Sequence, residues 1–250
     1  VAREDITIDT ADGACPTSVF TPSDGTGPWP GVIFFMDGLG IRPALHAMAQ
    51  RLADAGYVVL LPDLFYRVGP YGPLVPAEVF ASEEARTKLA PLMQATDPGR
   101  AGEDTAFFLD HLAAHPSVTG SKVGTTGYCM GGAISLTAAG RYPDRVAAAA
   151  SFHGGRLAND SELSPHLLAD QIQARVYIGA ADNDRSYPPE MAAQLVQALM
   201  AAGVDHRHEL YAGAAHGWTM EDFPIYDRAA AERHWSSLLE LFGETLSPAG

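Results

Sequence analysis

Ser121-Lys122-Val123-Gly124-Thr125-Thr126-Gly127-Tyr128-Cys129-Met130-Gly131-Gly132-Ala133 carries the reading that decides the fold. Ser121 to Thr126 reads as a strand, Gly127 closes it, and Ala133 to Ala139 is a run of small, helix-compatible residues. Between them, glycines two before and two after Cys129 allow a backbone turn so sharp that a larger side chain at either place would clash. Such a strand-to-helix turn pushes one side chain out at the strand end, and here that side chain is a thiol. The amides that open the following helix favour the thiolate, the form of cysteine that attacks carbon. Taken alone, a single cysteine is more often a small buried hydrophobe. What surrounds this turn in the chain decides between the two.

Working outward, strands and helices alternate. Toward the N-terminus, Gly31 to Met36 is a continuous apolar run stopped by Asp37-Gly38, as expected of a strand buried on both faces, and Val58 to Pro62 is another. Pro43 to Gly56 lies between them with helical spacing of Leu45, Met48 and Leu52 and a closing glycine. Before these come alternation around Ile6 and Ile8, an extended Thr17 to Phe20, and a loop, Thr21 to Pro30, that reads as a hairpin or surface connection. Toward the C-terminus, strands are expected at Val146 to Phe152, Val176 to Ile178 and His208 to Tyr211, and helices at Pro188 to Ala202 and Tyr226 to Phe242. The pattern predicts an α/β fold, a doubly wound and mostly parallel sheet with helices on both faces. Phe65 to Gly102, with five prolines between Pro70 and Pro98, interrupts the rhythm. It reads as an insertion at about 65–102 near the C-terminal edge of the sheet, where ligands of such sheets bind. One domain over 1–250 accounts for the length.

Composition narrows the function classes. With 30 acidic against 16 basic residues the formal charge is −14, which leaves no basic patch for nucleic acid or an anionic membrane surface. Cys15 and Cys129 lie in unlike contexts and do not form a disulfide framework. The absence of a charged-then-apolar leader and of a long apolar run predicts a cytoplasmic location.

Two further loops turn the Cys129 turn into a candidate site. Gly213-Ala214-Ala215-His216-Gly217-Trp218 follows the last expected strand, and His216 alone among nine histidines combines a post-strand loop, small neighbours and a position after the other candidates. A carboxylate to orient its imidazole belongs after the strand ending near Gly179, where Asp182 and Asp184 compete. Asp184, four residues before the proline that opens the next helix, is preferred, and Asp182 stays open. The order nucleophile, acid, histidine is that of α/β-hydrolases. In that fold the oxyanion is held by the amide after the nucleophile, here Met130, and by one in the turn after the strand ending at Met36, here Gly38.

The Met36-Asp37-Gly38-Leu39-Gly40 turn, Leu61 to Arg67, the Gly-Tyr-Cys-Met-Gly-Gly elbow, the acid loop and the Ala-His-Gly-Trp loop together resemble the dienelactone hydrolase family from about Asp5 to Phe242. The resemblance implies a hydrolase that opens esters or lactones with Cys129, Asp184 and His216, without metal or organic cofactor, acting on a small molecule. It implies a thiol-activating carboxylate at Asp37, where the family's usual residue is glutamate. It also implies arginines that hold a substrate carboxylate, one of them shortly after the histidine. Here Trp218, Thr219 and Met220 follow His216, and Arg67 and Arg185 are the candidates to supply the charge. Trp218 and His153 are further candidates to line the substrate pocket. Two other readings compete: a general carboxylesterase of broad acyl specificity, and a protein that binds a small ligand on the hydrolase fold without turning it over.

Overall fold

The computed structural model describes residues 2–24, 26–72 and 74–246. Eight strands form one sheet: β1 (Ala2–Thr10), β2 (Gly13–Thr21), β3 (Trp29–Phe35), β4 (Val58–Pro62), β5 (Val118–Tyr128), β6 (Val146–Phe152), β7 (Arg175–Ala181) and β8 (His206–Tyr211), in the order β1-β2-β4-β3-β5-β6-β7-β8. β1 pairs antiparallel with β2, in register from Ala2 opposite Thr21 to Thr10 opposite Gly13, and β2 pairs antiparallel with β4. All other pairings are parallel. The sheet is therefore mostly parallel, as the alternation predicts, with an antiparallel hairpin added at one edge. The early extended stretches are the two arms of that hairpin, so its turn is at Ala11-Asp12, whereas the stretch expected at Thr21 to Pro30 begins in β2 and ends in β3 and is the link between them.

Burial explains the pattern of the central strands. Val32, Ile33, Phe34 and Phe35 are all fully buried, as are Val58, Val59 and Leu60, because helices cover both faces of the sheet. α1 (Pro43–Asp54) lies beside α8 (Arg228–Thr245), where Arg51 pairs with Glu232 at 2.6 Å and stacks over Trp235. α5 (Pro98–Ala114) packs on α6 (Met130–Arg141), which in turn meets the 3-10 turn Pro165–Gln171 that borders α7 (Pro189–Ala201).

The insertion is shorter than expected. It holds a 3-10 turn (Tyr66–Val68) and three short helices, α2 (Pro76–Ala81), α3 (Glu83–Thr87) and α4 (Leu89–Ala95), but it ends at Asp97. Asp97 caps α5 by accepting the Arg100 N–H at 2.9 Å, and Pro98 occupies the first turn, where its missing N–H costs nothing. α5 then buries Ala101, Thr105, Phe108, Leu109 and Leu112, so it is the crossover helix from β4 to β5. No described helix is long and apolar enough to cross a membrane.

Candidate active site

Four strand ends converge on one cleft. β3 leads into Asp37-Gly38-Leu39-Gly40, β5 into Cys129, β7 into Asp182 to Ser186, and β8 into the loop of His216.

The elbow has the geometry its glycines require. Cys129 sits at φ 53°, ψ −113°, outside the regions comfortable for a residue with a Cβ, and α6 begins at the next residue. The strain is held by three bonds: the Cys129 N–H donates to Phe152 O at 3.2 Å, and its carbonyl accepts from Gly132 at 3.1 Å and Gly155 at 3.3 Å. A Cβ on Gly127 would lie 1.9 Å from the Gly131 carbonyl oxygen, and one on Gly131 would lie 2.4 Å from that of Phe35. Only glycine fits at either place. The thiol is consequently half-buried rather than sealed.

His216 Nδ1 lies 2.6 Å from Asp184 Oδ2, which leaves the other ring nitrogen available to the thiol side. Asp184 Oδ1 accepts from the Ser186 N–H at 2.8 Å and from its hydroxyl at 2.7 Å, and that hydroxyl lies 3.2 Å from His216 Nδ1. Asp182 faces away: its Oδ2 accepts the Gly213 N–H at 2.9 Å, bracing the start of the histidine loop. Of the two competing carboxylates the structure brings Asp184 to the imidazole. Burial opposes charge on His216, but hydrogen bonds and charge from Asp184 and Cys129 outweigh it and raise its pKa to about 10. Burial likewise works against the Asp184 carboxylate, yet the bonds from His216 and Ser186 hold it below its ordinary range. The three groups thus favour an imidazolium between two acceptors. Ser186 was not singled out from the sequence, although a serine two residues after an aspartate is the signal of a side-chain turn onto its own backbone.

The N–H groups of Gly38 and Met130 find no acceptor within the described residues. Asp37, between β3 and Gly38, is 2% exposed and turned from the thiol. Arg42 binds it bidentately, Nη1 to Oδ1 at 2.7 Å and Nη2 to Oδ2 at 2.8 Å, while Leu39 donates its N–H to Oδ1 at 2.9 Å. Arg42 Nε also reaches Asp222 at 2.7 Å, tying the turn to the loop that follows His216. With both oxygens occupied by a buried guanidinium, the expected contact of Asp37 with Cys129 does not occur in this structure. No local feature of the sequence marks Arg42 for this part, since its partners lie both beside it and 180 residues away.

The cleft has a volume of about 680 Å³ and exposes Cys129, Met130, Ser186 and His216 at one end. Four residues expected to line it or to supply charge there lie elsewhere. Arg67 is bound by Asp104 at 2.8 and 2.9 Å and by Asp12 at 2.7 Å, far along the insertion's base. Trp218 is fully buried and stacks on Tyr211 at 4.7 Å. His153, 1% exposed with φ 38°, stands behind His216 with ring centroids 5.2 Å apart and its Nε2 2.7 Å from Thr219 Oγ1. Burial and the charge of His216 push the His153 pKa well below its ordinary value, so the ring is neutral packing against the catalytic candidate. Arg185 borders an adjoining hollow past His216 rather than this cleft. Among the described residues no group of three or more His, Cys, Asp or Glu is placed to hold a metal ion.

Comparison with known proteins shows the family and the fold of the chain. The model of the dienelactone hydrolase family matches residues 16–246. A protein of Escherichia coli (strain K12) named "Putative carboxymethylenebutenolidase" is 30% identical over 228 residues, covering 88% of this chain and 79% of its own. Among solved structures, one named "Putative Dienelactone Hydrolase" from Klebsiella pneumoniae subsp. pneumoniae MGH 78578 superimposes with a TM-score of 0.85 at 23% identity, covering 97% of this chain and 98% of that one. The dienelactone hydrolase-like promiscuous phosphotriesterase P91, from metagenomic libraries, does so with a TM-score of 0.77 at 26% identity, over 99% and 100%. The chain belongs to the dienelactone hydrolase family, and its sheet is that of an α/β-hydrolase.

Proposed function

We propose that this hydrolase opens ester or lactone bonds with Cys129 as nucleophile, His216 as acid and base, and Asp184 as the carboxylate that orients the imidazole. The observation that carries the reading is the thiol at a positive φ, at the mouth of a cleft it shares with an imidazole whose far nitrogen is 2.6 Å from a buried carboxylate. Cys129 Sγ adds to the substrate's carbonyl carbon, and the N–H groups of Gly38 and Met130, which have no other acceptor, receive the oxyanion. The tetrahedral adduct expels the alkoxide, which takes a proton from His216 and leaves a thioester on Cys129. In a lactone the alkoxide remains tethered as a hydroxyl. Water, deprotonated by His216, then attacks the thioester, the C–S bond breaks, and the carboxylic acid departs as the thiol is restored.

Trapping tests this directly. A p-nitrophenyl ester mixed with the enzyme and quenched in acid yields a protein heavier by one acyl group, on the peptide containing Cys129, and Cys129→Ala shows neither adduct nor turnover. Turnover retained by folded Cys129→Ala refutes the assignment.

A further inference from the structure

The cleft beside Cys129 has two apolar walls that come from separate parts of the chain. One is Met93 of α4 with Pro98 at the start of α5; the other is Leu163 and Pro165 in the connection from β6 to β7. Met93 and Leu163 are 39% and 44% exposed, although burying side chains of this size is favourable by about 1.5–3 kcal/mol each. The walls close toward each other, because a Cβ on Gly99 would stand 3.0 Å from a Leu163 methyl. They also begin at the proposed oxyanion position: Met93 Sδ lies 3.2 Å from where a Cβ of Gly38 would be.

The polar residues of this lining are largely engaged with the protein itself. Thr96 donates its hydroxyl to Leu64 O at 2.9 Å, Asp97 caps α5, and Ser164 Oγ accepts the Asn159 N–H at 3.0 Å. Of the charged groups that border the cleft, Asp97 is also paired with Arg100, while Arg156 and His216 stand apart from the two apolar walls in the lining. Arg67 and Arg185 lie outside it.

We infer that the cleft selects esters with an unbranched apolar acyl chain, of butyryl to octanoyl size, and that Met93 and Leu163 are specificity-determining residues that grip this chain. The inference rests on Cys129 as nucleophile for its kinetic form, though not for its binding form. Each methylene drawn from water between the walls adds up to about fourfold in kcat/KM, the equivalent of about 0.8 kcal/mol per buried CH2.

The test is a series of p-nitrophenyl acetate, butyrate, hexanoate and octanoate. Expected is a rise in kcat/KM of at least about tenfold from acetate to hexanoate. Met93→Gln and Leu163→Asn, at partly exposed sites where folding survives, cut the hexanoate value by about threefold to tenfold more than they cut the acetate value. A flat or falling series, or variants that retain the full chain-length preference, overturns the inference. A second measurement is independent of turnover: alkylation of Cys129 by N-hexyl iodoacetamide is expected to outpace that by iodoacetamide, and Leu163→Asn is expected to erase the difference. Equal rates in the parent protein overturn the inference even if the catalytic reading stands. Absence of ester turnover with the alkylation preference intact counts against the catalytic reading instead.

Discussion

The chain has two cysteines, and the structure places them in opposite circumstances. Cys15, on β2, is fully buried, with its thiol 3.6 Å from the carbonyl oxygen of Asp63 and 3.7 Å from that of Pro16. Desolvation dominates there, and despite the Thr17 hydroxyl the pKa rises to about 12. Cys129 sits on a strained turn just past the end of β5, half-buried and facing an imidazole. The same atom type is closed off by packing in one place and presented to a cleft and an imidazole in the other, and the difference is made by backbone geometry and neighbours.

The strongest way to break the contrast is chemical. Iodoacetamide at neutral pH is expected to label Cys129 in the folded protein and to reach Cys15 only through opening of the structure, a difference of about 10⁴-fold or more in rate. Peptide mapping over time measures it. A Cys129 as slow as Cys15 would favour the reading of a ligand-binding protein without turnover.

The next test separates the two aspartates of the acid loop. Asp184→Asn leaves the imidazole without its anionic partner and is expected to cost about 10³-fold or more in kcat. Asp182→Asn removes only a charge that faces away from His216 and keeps an oxygen to accept the Gly213 N–H, and it leaves kcat nearly unchanged. Equal losses would mean that the loop's shape, rather than the charge beside His216, is what matters.

Moving the thiol without altering it sharpens the comparison further. In Gly127→Ala the new methyl meets the Gly131 carbonyl at 1.9 Å, so the elbow has to shift. A displacement of about 1 Å at the nucleophile costs about 10²-fold in kcat/KM, while labelling of Cys15 in the folded state stays as slow as before. Unaltered kinetics would show that the turn tolerates what its geometry forbids.

This turn is also where the sequence was most readable. The glycines around Cys129, the loop of His216 and the alternation of apolar runs report local requirements of backbone and burial, and each of them sits within a few residues of what it specifies. The Asp97-Pro98 start of α5 was equally local, yet the prolines around it masked a crossover helix as more of the insertion. What could not be read was set by distance along the chain. The turn of Asp37 toward Arg42 depends on Asp222, Met93 approaches Gly38 from an inserted helix, and Leu163 meets Gly99 from the connection between β6 and β7. The burial of Trp218 and His153 behind His216 is of the same kind, since a residue next to a loop of interest faces the core or the cleft according to packing alone.

Titration gives the mildest test, and its signs follow from the two raised pKa values. A group whose pKa is higher in the folded than in the unfolded chain supports folding in full below its unfolded value, and that support is lost as pH rises through the folded one. For His216 the loss runs from about 6.5 to about 10, as the imidazolium gives up its proton between Asp184 and Cys129. For Cys15 it runs from about 9 to about 12, because the unfolded thiol ionises while the buried one does not. Urea unfolding across this range should therefore show stability falling in two overlapping stages. His216→Asn is expected to remove the earlier stage and Cys15→Ala to lessen the later one, which it shares with buried tyrosines such as Tyr128 and Tyr187 that desolvation also holds above their ordinary range, whatever either substitution does to the absolute stability. If Cys15→Ala leaves the slope between pH 9 and pH 12 intact, the thiol on β2 is better solvated than its packing indicates, and the contrast with Cys129 narrows accordingly.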